Sequence, residues 1–198
     1  GYDTPEQRQQ KYEFYEANDH FKSARDIGNK DYSHLIDRNV QLEKYDPDIG
    51  ISCIMMVKDE EEDILPCIEH LECVVDEFVI VDTGSTDKTI ELIEKFAKYA
   101  TVPVKLLHMP WCDNYSVPRN FAKLHATQRW ILMMDADERF DCGDVDLVYK
   151  MIETDADAVI FHVLNYMKKT LPGEPAVYAS TASVRLYRNM PAFYYTAI

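Results

Sequence analysis

The chain has 198 residues, 46% hydrophobic and 12% aromatic, which is enough for one substantial globular domain. Thirty-five acidic residues outweigh 21 basic ones, and the net charge of −14 argues against general affinity for nucleic acid or anionic membrane surfaces. No apolar run reaches the roughly 18 residues of a membrane span, and no signal-peptide pattern opens the chain.

Residues 1–48 are rich in Gln, Tyr and charge, and carry few aliphatic side chains. Pro5 can open a helix bearing Tyr12, Phe14, Tyr15 and Phe21, and a second helix is predicted over Tyr32–Lys44. This stretch reads as a helical N-terminal extension or linker, closed by the turn Asp46-Pro47-Asp48-Ile49-Gly50. From residue 49 the pattern changes to alternating strands and helices. Ile51–Val57 is a continuous apolar run, as expected of a strand buried on both faces. A helix follows between Asp59 and Val75; Pro66 fits only if that helix starts near Leu65. Phe78–Val81 is the second strand, and Ser85 or Thr86 can cap the next helix, with Ile90, Leu92, Ile93 and Phe96 on its apolar face. Val102–Leu107 is a third strand interrupted by Pro103, Val117–Thr127 a helix, and Trp130–Met134 a fourth strand. Val145–Ile152 is helical, Ala158–Val163 a strand, and two further short strands are expected near Ala176–Ala179 and Val184–Tyr187. This order predicts an α/β fold with a doubly wound, mostly parallel sheet, mixed by antiparallel strands at its end.

The cysteines Cys53, Cys67, Cys73, Cys112 and Cys142 are odd in number and form no C-x-x-C pair. Neither a disulfide framework nor a zinc site is indicated, and reduced thiols in a cytoplasmic setting are the expectation. The chain begins with Gly1 and stops at Ile198 in a strand-like run, which reads as a piece of a longer polypeptide with further domains.

The chemistry gathers in four polar loops, each after a strand. They are Lys58-Asp59-Glu60; Asp82-Thr83-Gly84-Ser85-Thr86-Asp87; Trp111-Cys112-Asp113-Asn114-Tyr115, leading to Arg119-Asn120; and Asp135-Ala136-Asp137-Glu138. Open α/β sheets bind ligands at the carboxyl ends of their strands. Two aspartates so close repel each other and call for a cation, so a divalent metal holding phosphate oxygens is the natural reading of Asp135 and Asp137. The bland reading is a solvated turn. Asp82 can accept from a base N–H or a ribose hydroxyl, or simply satisfy the turn to Gly84 and Ser85. Gly84 permits positive φ or a close backbone approach. Arg119 offers a permanently charged fork for phosphate, or is a surface arginine on a helix. No phosphate-binding G-K-[ST] loop and no G-x-G-x-x-G fingerprint is present. His108, His125 and His162 read as structural.

These motifs, in this order and spacing, resemble family 2 glycosyltransferases of the GT-A fold, in the branch that includes peptide S-glycosyltransferases of the sublancin-modifying type. The matching segments are Ile51–Glu60, Val79–Asp87, Trp111 with Asn114-Tyr115 and Arg119-Asn120, and Trp130 with Asp135–Glu138. The likeness spans residues 50–190 and leaves out 1–48. It implies an inverting, metal-dependent transfer from a nucleoside-diphosphate sugar, a UDP-sugar above all, with Mn2+ or Mg2+ as cofactor. It places Val57, Lys58 and Glu60 at the base, Asp82 at base or ribose, and Gly84 in the second loop of the nucleotide pocket. Arg119 and Asn120 fall near the diphosphate or sugar, Asp135 at the ribose and the metal, and Asp137 on the metal itself. The general base is expected beyond Ile198, Glu174, Asp155 and Asp157 being poor substitutes. The acceptor, whether peptide, protein, glycan or lipid, is not legible. Two rival readings are a catalytically incomplete nucleotide-sugar-binding module of a larger protein, and a nucleotidyltransferase. The latter usually carries a Gly-rich, basic loop after its first strand, and Val57-Lys58-Asp59-Glu60 is not one.

Overall fold

The computed structural model describes residues 49–141, 145–168 and 177–196. The expected N-terminal extension, Cys142, Glu174 and Ile198 lie outside these residues. Six strands are present: β1 (Ile51–Val57), β2 (Glu77–Asp82), β3 (Val104–His108), β4 (Trp130–Met133), β5 (Ala158–Lys168) and β6 (Val177–Arg188). Four helices accompany them: α1 (Ile64–Leu71), α2 (Thr89–Phe96), α3 (Ser116–His125) and α4 (Val145–Ile152).

The strands form one mixed sheet in the order β3-β2-β1-β4-β6-β5. The pairs β1–β2, β2–β3 and β1–β4 are parallel, whereas β6 runs antiparallel to both β4 and β5. Winding therefore proceeds outward from β1 to β3 on one side and resumes with β4 on the other. The gap between the carboxyl ends of β1 and β4 is the switch point where such sheets receive ligands. Strands β1 and β2 are almost wholly buried, because helices cover both faces of the parallel half. One core cluster joins Cys53, Met55, Ile64, Ile68, Leu71, Phe96 and Val148; the other joins Ile54, Val79, Val81 and Ile131 to Ala122 of α3 and to Tyr187.

Several boundaries differ from the sequence expectations. Helix α1 begins at Ile64, five residues after Asp59, so Pro66 falls in its first turn, where no intrahelical N–H bond is required. Strand β3 begins at Val104, because Pro103 has no N–H for the ladder; its carbonyl still accepts from Phe78 N at 2.9 Å. Helix α2 is not capped by Ser85 or Thr86: Asp87 Oδ1 accepts from Thr89 N (2.9 Å) and Thr89 Oγ1 (2.6 Å) at its start. The two short strands expected near the end are one strand, β6. Its small polar stretch Ser180–Ser183 stays extended because it pairs along β5.

Candidate functional site

The acidic turn follows β4 directly. Glu138 N donates to Asp135 O at 3.1 Å, and Asp135 N donates to Glu138 Oε2 at 3.0 Å, so the turn closes on itself. Arg139 ties it to the start of α1 through Asp63 Oδ1 at 2.8 Å, and Cys67 Sγ approaches Asp135 O at 3.7 Å. The Asp135 carboxylate lies between two arginines: Arg119 Nη2 at 3.3 Å from Oδ1, and Arg185 Nη1 at 3.6 Å from Oδ2. Arg185 also pairs with Glu138. Burial pushes the Glu138 carboxyl up, against the pull of Asp135 N–H and the Arg185 charge. Asp137, in contrast, is exposed and makes no hydrogen bond or ion pair among the described residues.

The first two loops are fastened to each other. Asp59 N donates to Ser85 Oγ (3.0 Å), Glu60 N to Thr89 Oγ1 (2.7 Å) and Glu61 N to Asp87 Oδ2 (2.9 Å). In return Thr86 N donates to Asp59 Oδ1 (2.6 Å) and Lys88 N to Glu61 Oε2 (3.0 Å). Asp59 holds φ of 54°, and Gly84 φ of 112°, a conformation that favours glycine. Asp82 is buried, and its two oxygens accept from Gly84 N (3.1 Å) and Ser85 N (3.0 Å), with His108 Nδ1 at 3.6 Å. Its carboxylate therefore does shape the turn, with remaining lone pairs for a further donor. Val57 is buried and accepts from Thr83 through its carbonyl; Lys58 is exposed beside it.

The third loop sits against the second through Trp111 N, which donates to Thr83 O at 3.2 Å. Asn114 Oδ1 accepts Ser116 N at 2.9 Å and so starts α3. This aims Arg119 at Asp135, with its guanidinium 5.8 Å from the Tyr115 ring and 5.9 Å from the Tyr195 ring. Asn120 turns elsewhere: its amide donates to Tyr195 O and accepts from Tyr195 N, both at 2.8 Å. Tyr195 in turn meets the Tyr187 hydroxyl at 2.9 Å, and burial raises the pKa of both phenols.

Thus Glu60, Asp82, Gly84, Arg119, Asp135 and Asp137 come to one edge of the sheet, whereas Asn120 braces the segment that carries Tyr195. Sequence reasoning assigned no role to Arg185. Its signal is an arginine enclosed by Val184 and Leu186 in a strand, where a charge needs a buried partner.

Among the described residues, no three His, Cys, Asp or Glu side chains are arranged to hold a metal on their own. The donor set nevertheless suits a cation shared with a ligand. Burial pushes Glu60 up to about 7, and Asp137, Asp63, Asp135 and Asp87 add to the effect. Negative charge therefore gathers around Glu60, and Asp137 carries an exposed hard-oxygen carboxylate with no hydrogen bond or ion pair among the described residues. That fits Mg2+ or Mn2+, which commonly take one or two carboxylates and complete their shell with phosphate oxygens.

The model of the family "Glycosyl transferase family 2" matches residues 52–195, well over half of the chain. The chain belongs to glycosyl transferase family 2. The GT-A resemblance accords with this membership and with the six-stranded mixed sheet. A TPR repeat-containing protein of Synechococcus elongatus is 35% identical over 71% of this chain and 32% of its own length. The lipopolysaccharide core biosynthesis glycosyltransferase LpsC of Rhizobium meliloti is 32% identical over 59% of this chain and 42% of its own. The SPbeta prophage-derived glycosyltransferase SunS of Bacillus subtilis is 29% identical over 52% of this chain and 24% of its own length. The matched stretches thus span less than half the length of these relatives. Among solved structures, S. aureus TarS 1–349 in complex with UDP-GlcNAc aligns with a TM-score of 0.47 at 22% identity, over 53% of this chain and 31% of that one. No helix among the described residues is long and apolar enough to cross a membrane.

Proposed function

We propose that this family 2 domain binds a nucleoside-diphosphate sugar, preferentially a UDP-sugar, at the carboxyl edge of β1, β2 and β4. It transfers the sugar to an acceptor with inversion, with Mn2+ or Mg2+ as cofactor. The observation that carries this reading is the contrast within one turn: Asp135 lies between two arginines, while the nearby Asp137 is exposed and unpaired among the described residues.

In this reading Val57, Lys58 and Glu60 border the base, and Asp82 uses its remaining lone pairs on base or ribose. Arg119, steadied by Tyr115, Tyr195 and Asp135, faces the diphosphate; Asn120 supports it through Tyr195. Asp137 holds the cation, with Asp135 close behind at the ribose. The cation would neutralise charge on the departing diphosphate. During transfer, an acceptor oxygen or sulfur forms its bond to the anomeric carbon on the face opposite the leaving group. The old C–O pair departs with the diphosphate, and the acceptor proton passes to a base outside the described residues. The four described cysteines are free thiols, which suits a reducing, cytoplasmic setting. The proposed acceptor is a peptide, protein, glycan or lipid, and further domains in the full-length chain are part of the proposal.

Thermal unfolding with UDP and Mn2+ tests it. At a hundredfold excess over Kd, a bound ligand stabilises by about 2.7 kcal/mol. For a chain of this size that corresponds to roughly 5–11 °C in Tm. Asp137→Ala is expected to remove the Mn2+-dependent part. No shift in the wild-type protein with UDP or GDP refutes the donor site. Binding without any sugar turnover by the full-length protein favours a recognition module instead.

A further inference from the structure

Arg185 occupies an irregular place in β6. Val159 pairs with Leu186, and the next residue of β5, Ile160, pairs with Val184, so Arg185 is the extra residue of a β-bulge. Bulges re-aim single side chains and recur beside active sites. Here the bulge sends the guanidinium back across β4. Nη1 lies 3.0 Å from Met133 Sδ and 3.6 Å from Asp135 Oδ2, while Nη2 pairs with Glu138 Oε1. The other Glu138 oxygen accepts Asp135 N, so a chain of contacts runs from the bulge through Glu138 to the backbone of the acidic turn.

Arg185 and Glu138 are only 12% and 18% exposed, whereas Arg119, the other arginine on Asp135, is 24% exposed and touches only Oδ1. The more buried arginine is therefore also the one that grips the turn twice. Asp137 sits between the two anchored residues Asp135 and Glu138, and among the described residues makes no hydrogen bond or ion pair that would set its direction.

We propose that Arg185 is a positioning residue: through Glu138 and Asp135 it fixes the turn so that Asp137 presents its carboxylate to the cation. This rests on the donor-site reading above. It makes the hairpin β5–β6, which follows the acidic turn in the chain, a structural part of the donor site. Groups that orient a metal ligand typically change metal affinity about 10–100-fold when removed.

The test measures UDP affinity with and without Mn2+, by calorimetry, and the Mn2+ signal by electron paramagnetic resonance, in the full-length chain. Arg185→Met is expected to weaken Mn2+-assisted UDP binding about tenfold or more, and metal-free UDP binding less than about twofold. Arg185→Lys recovers only part, because an ammonium is a point charge that cannot reproduce the two-handed grip. Glu138→Gln weakens the same quantity, and the Arg185→Met/Glu138→Gln pair is no weaker than Arg185→Met alone, since both act along one path. If Arg185→Met does not fold, Arg185→Lys and Glu138→Gln decide the matter. Unchanged Mn2+-assisted affinity in Glu138→Gln overturns the proposal, as does equal loss of metal-free and metal-assisted binding in Arg185→Met. A wild-type chain that binds neither UDP nor GDP with Mn2+ overturns the donor site first.

Discussion

Glu77 is the most heavily used buried carboxylate in the described chain, and it lies at the opposite end of the sheet from the site. It is 2% exposed. Its Oε1 accepts from Ser52 Oγ at 2.6 Å, from Thr127 Oγ1 at 3.0 Å and from Thr127 N; its Oε2 takes Lys105 Nζ at 2.8 Å. One side chain thus joins β1, β2, β3 and the loop between α3 and β4. In Glu77→Gln the amide oxygen can keep the Oε1 partners, but the amide NH2 then faces the Lys105 ammonium, donor against donor. Three charge-assisted bonds fall to neutral strength and one ion pair is lost, a cost of about 2–4 kcal/mol. That is roughly 4–16 °C in Tm. Lys105→Met, which removes a partner that is 35% exposed, should cost about 1 kcal/mol or less. The dependence on pH has a definite sign. Burial pushes the Glu77 carboxyl up, but Lys105, Ser52 and Thr127 outweigh it, and the folded-state pKa lies below the ordinary 4.5. The group's stabilisation is therefore complete above 4.5 and lost as pH falls through the folded value. The gap between wild type and Glu77→Gln, followed by urea unfolding, should be constant from pH 5 to 8 and narrow below 4.5. A variant within about 0.5 kcal/mol of wild type at pH 7, or a gap that widens in acid, would refute this account.

Glycine and cysteine substitutions give independent checks. Gly84→Ala meets no atom within 4 Å, yet its φ of 112° strains any side chain, and a loss of about 1–3 kcal/mol is expected by urea unfolding. Gly50→Ala would press on the end of the Gln128 side chain; that flexible side chain can swing away, so the loss should stay below about 1 kcal/mol. With a thiol-reactive disulfide reagent at pH 8, exposed Cys112 should label first among the described cysteines. Cys67, which burial pushes up to about 12, and fully buried Cys53 should label only at the rate of unfolding. Prompt labelling of Cys67 in the folded chain would contradict the packing described for α1.

The parallel half of the sheet was legible because its strands are apolar throughout and end in polar loops. Ile51–Val57 and Trp130–Met133 leave little choice of element, and Pro66 and Pro103 mark where a helix and a strand begin. The candidate site was legible for the residues that lie at the ends of those strands, namely Asp82, Asp135 and Asp137. What escaped depends on contacts distant in sequence. Nothing local to Asn120 shows that its amide will hold the backbone of Tyr195, 75 residues away. Nothing local to Ser180–Ser183 shows that it will remain extended along β5, and the bulge at Arg185 exists only as a mismatch between two strands. The cap of α2 was misplaced for the same reason, since Ser85 and Thr86 are engaged by Asp59 across the edge of the sheet.

The mutual fastening of the first two loops has a kinetic and calorimetric consequence. Five main-chain donors, those of Asp59, Glu60, Glu61, Thr86 and Lys88, are satisfied between these two loops before any guest arrives. Capture by a receptor already set in shape loses little freedom on the protein side, so tightness can come from few contacts. Its heat-capacity change then reports the apolar surface the guest itself hides, undiluted by any coil-to-ordered transition of the receiving segments.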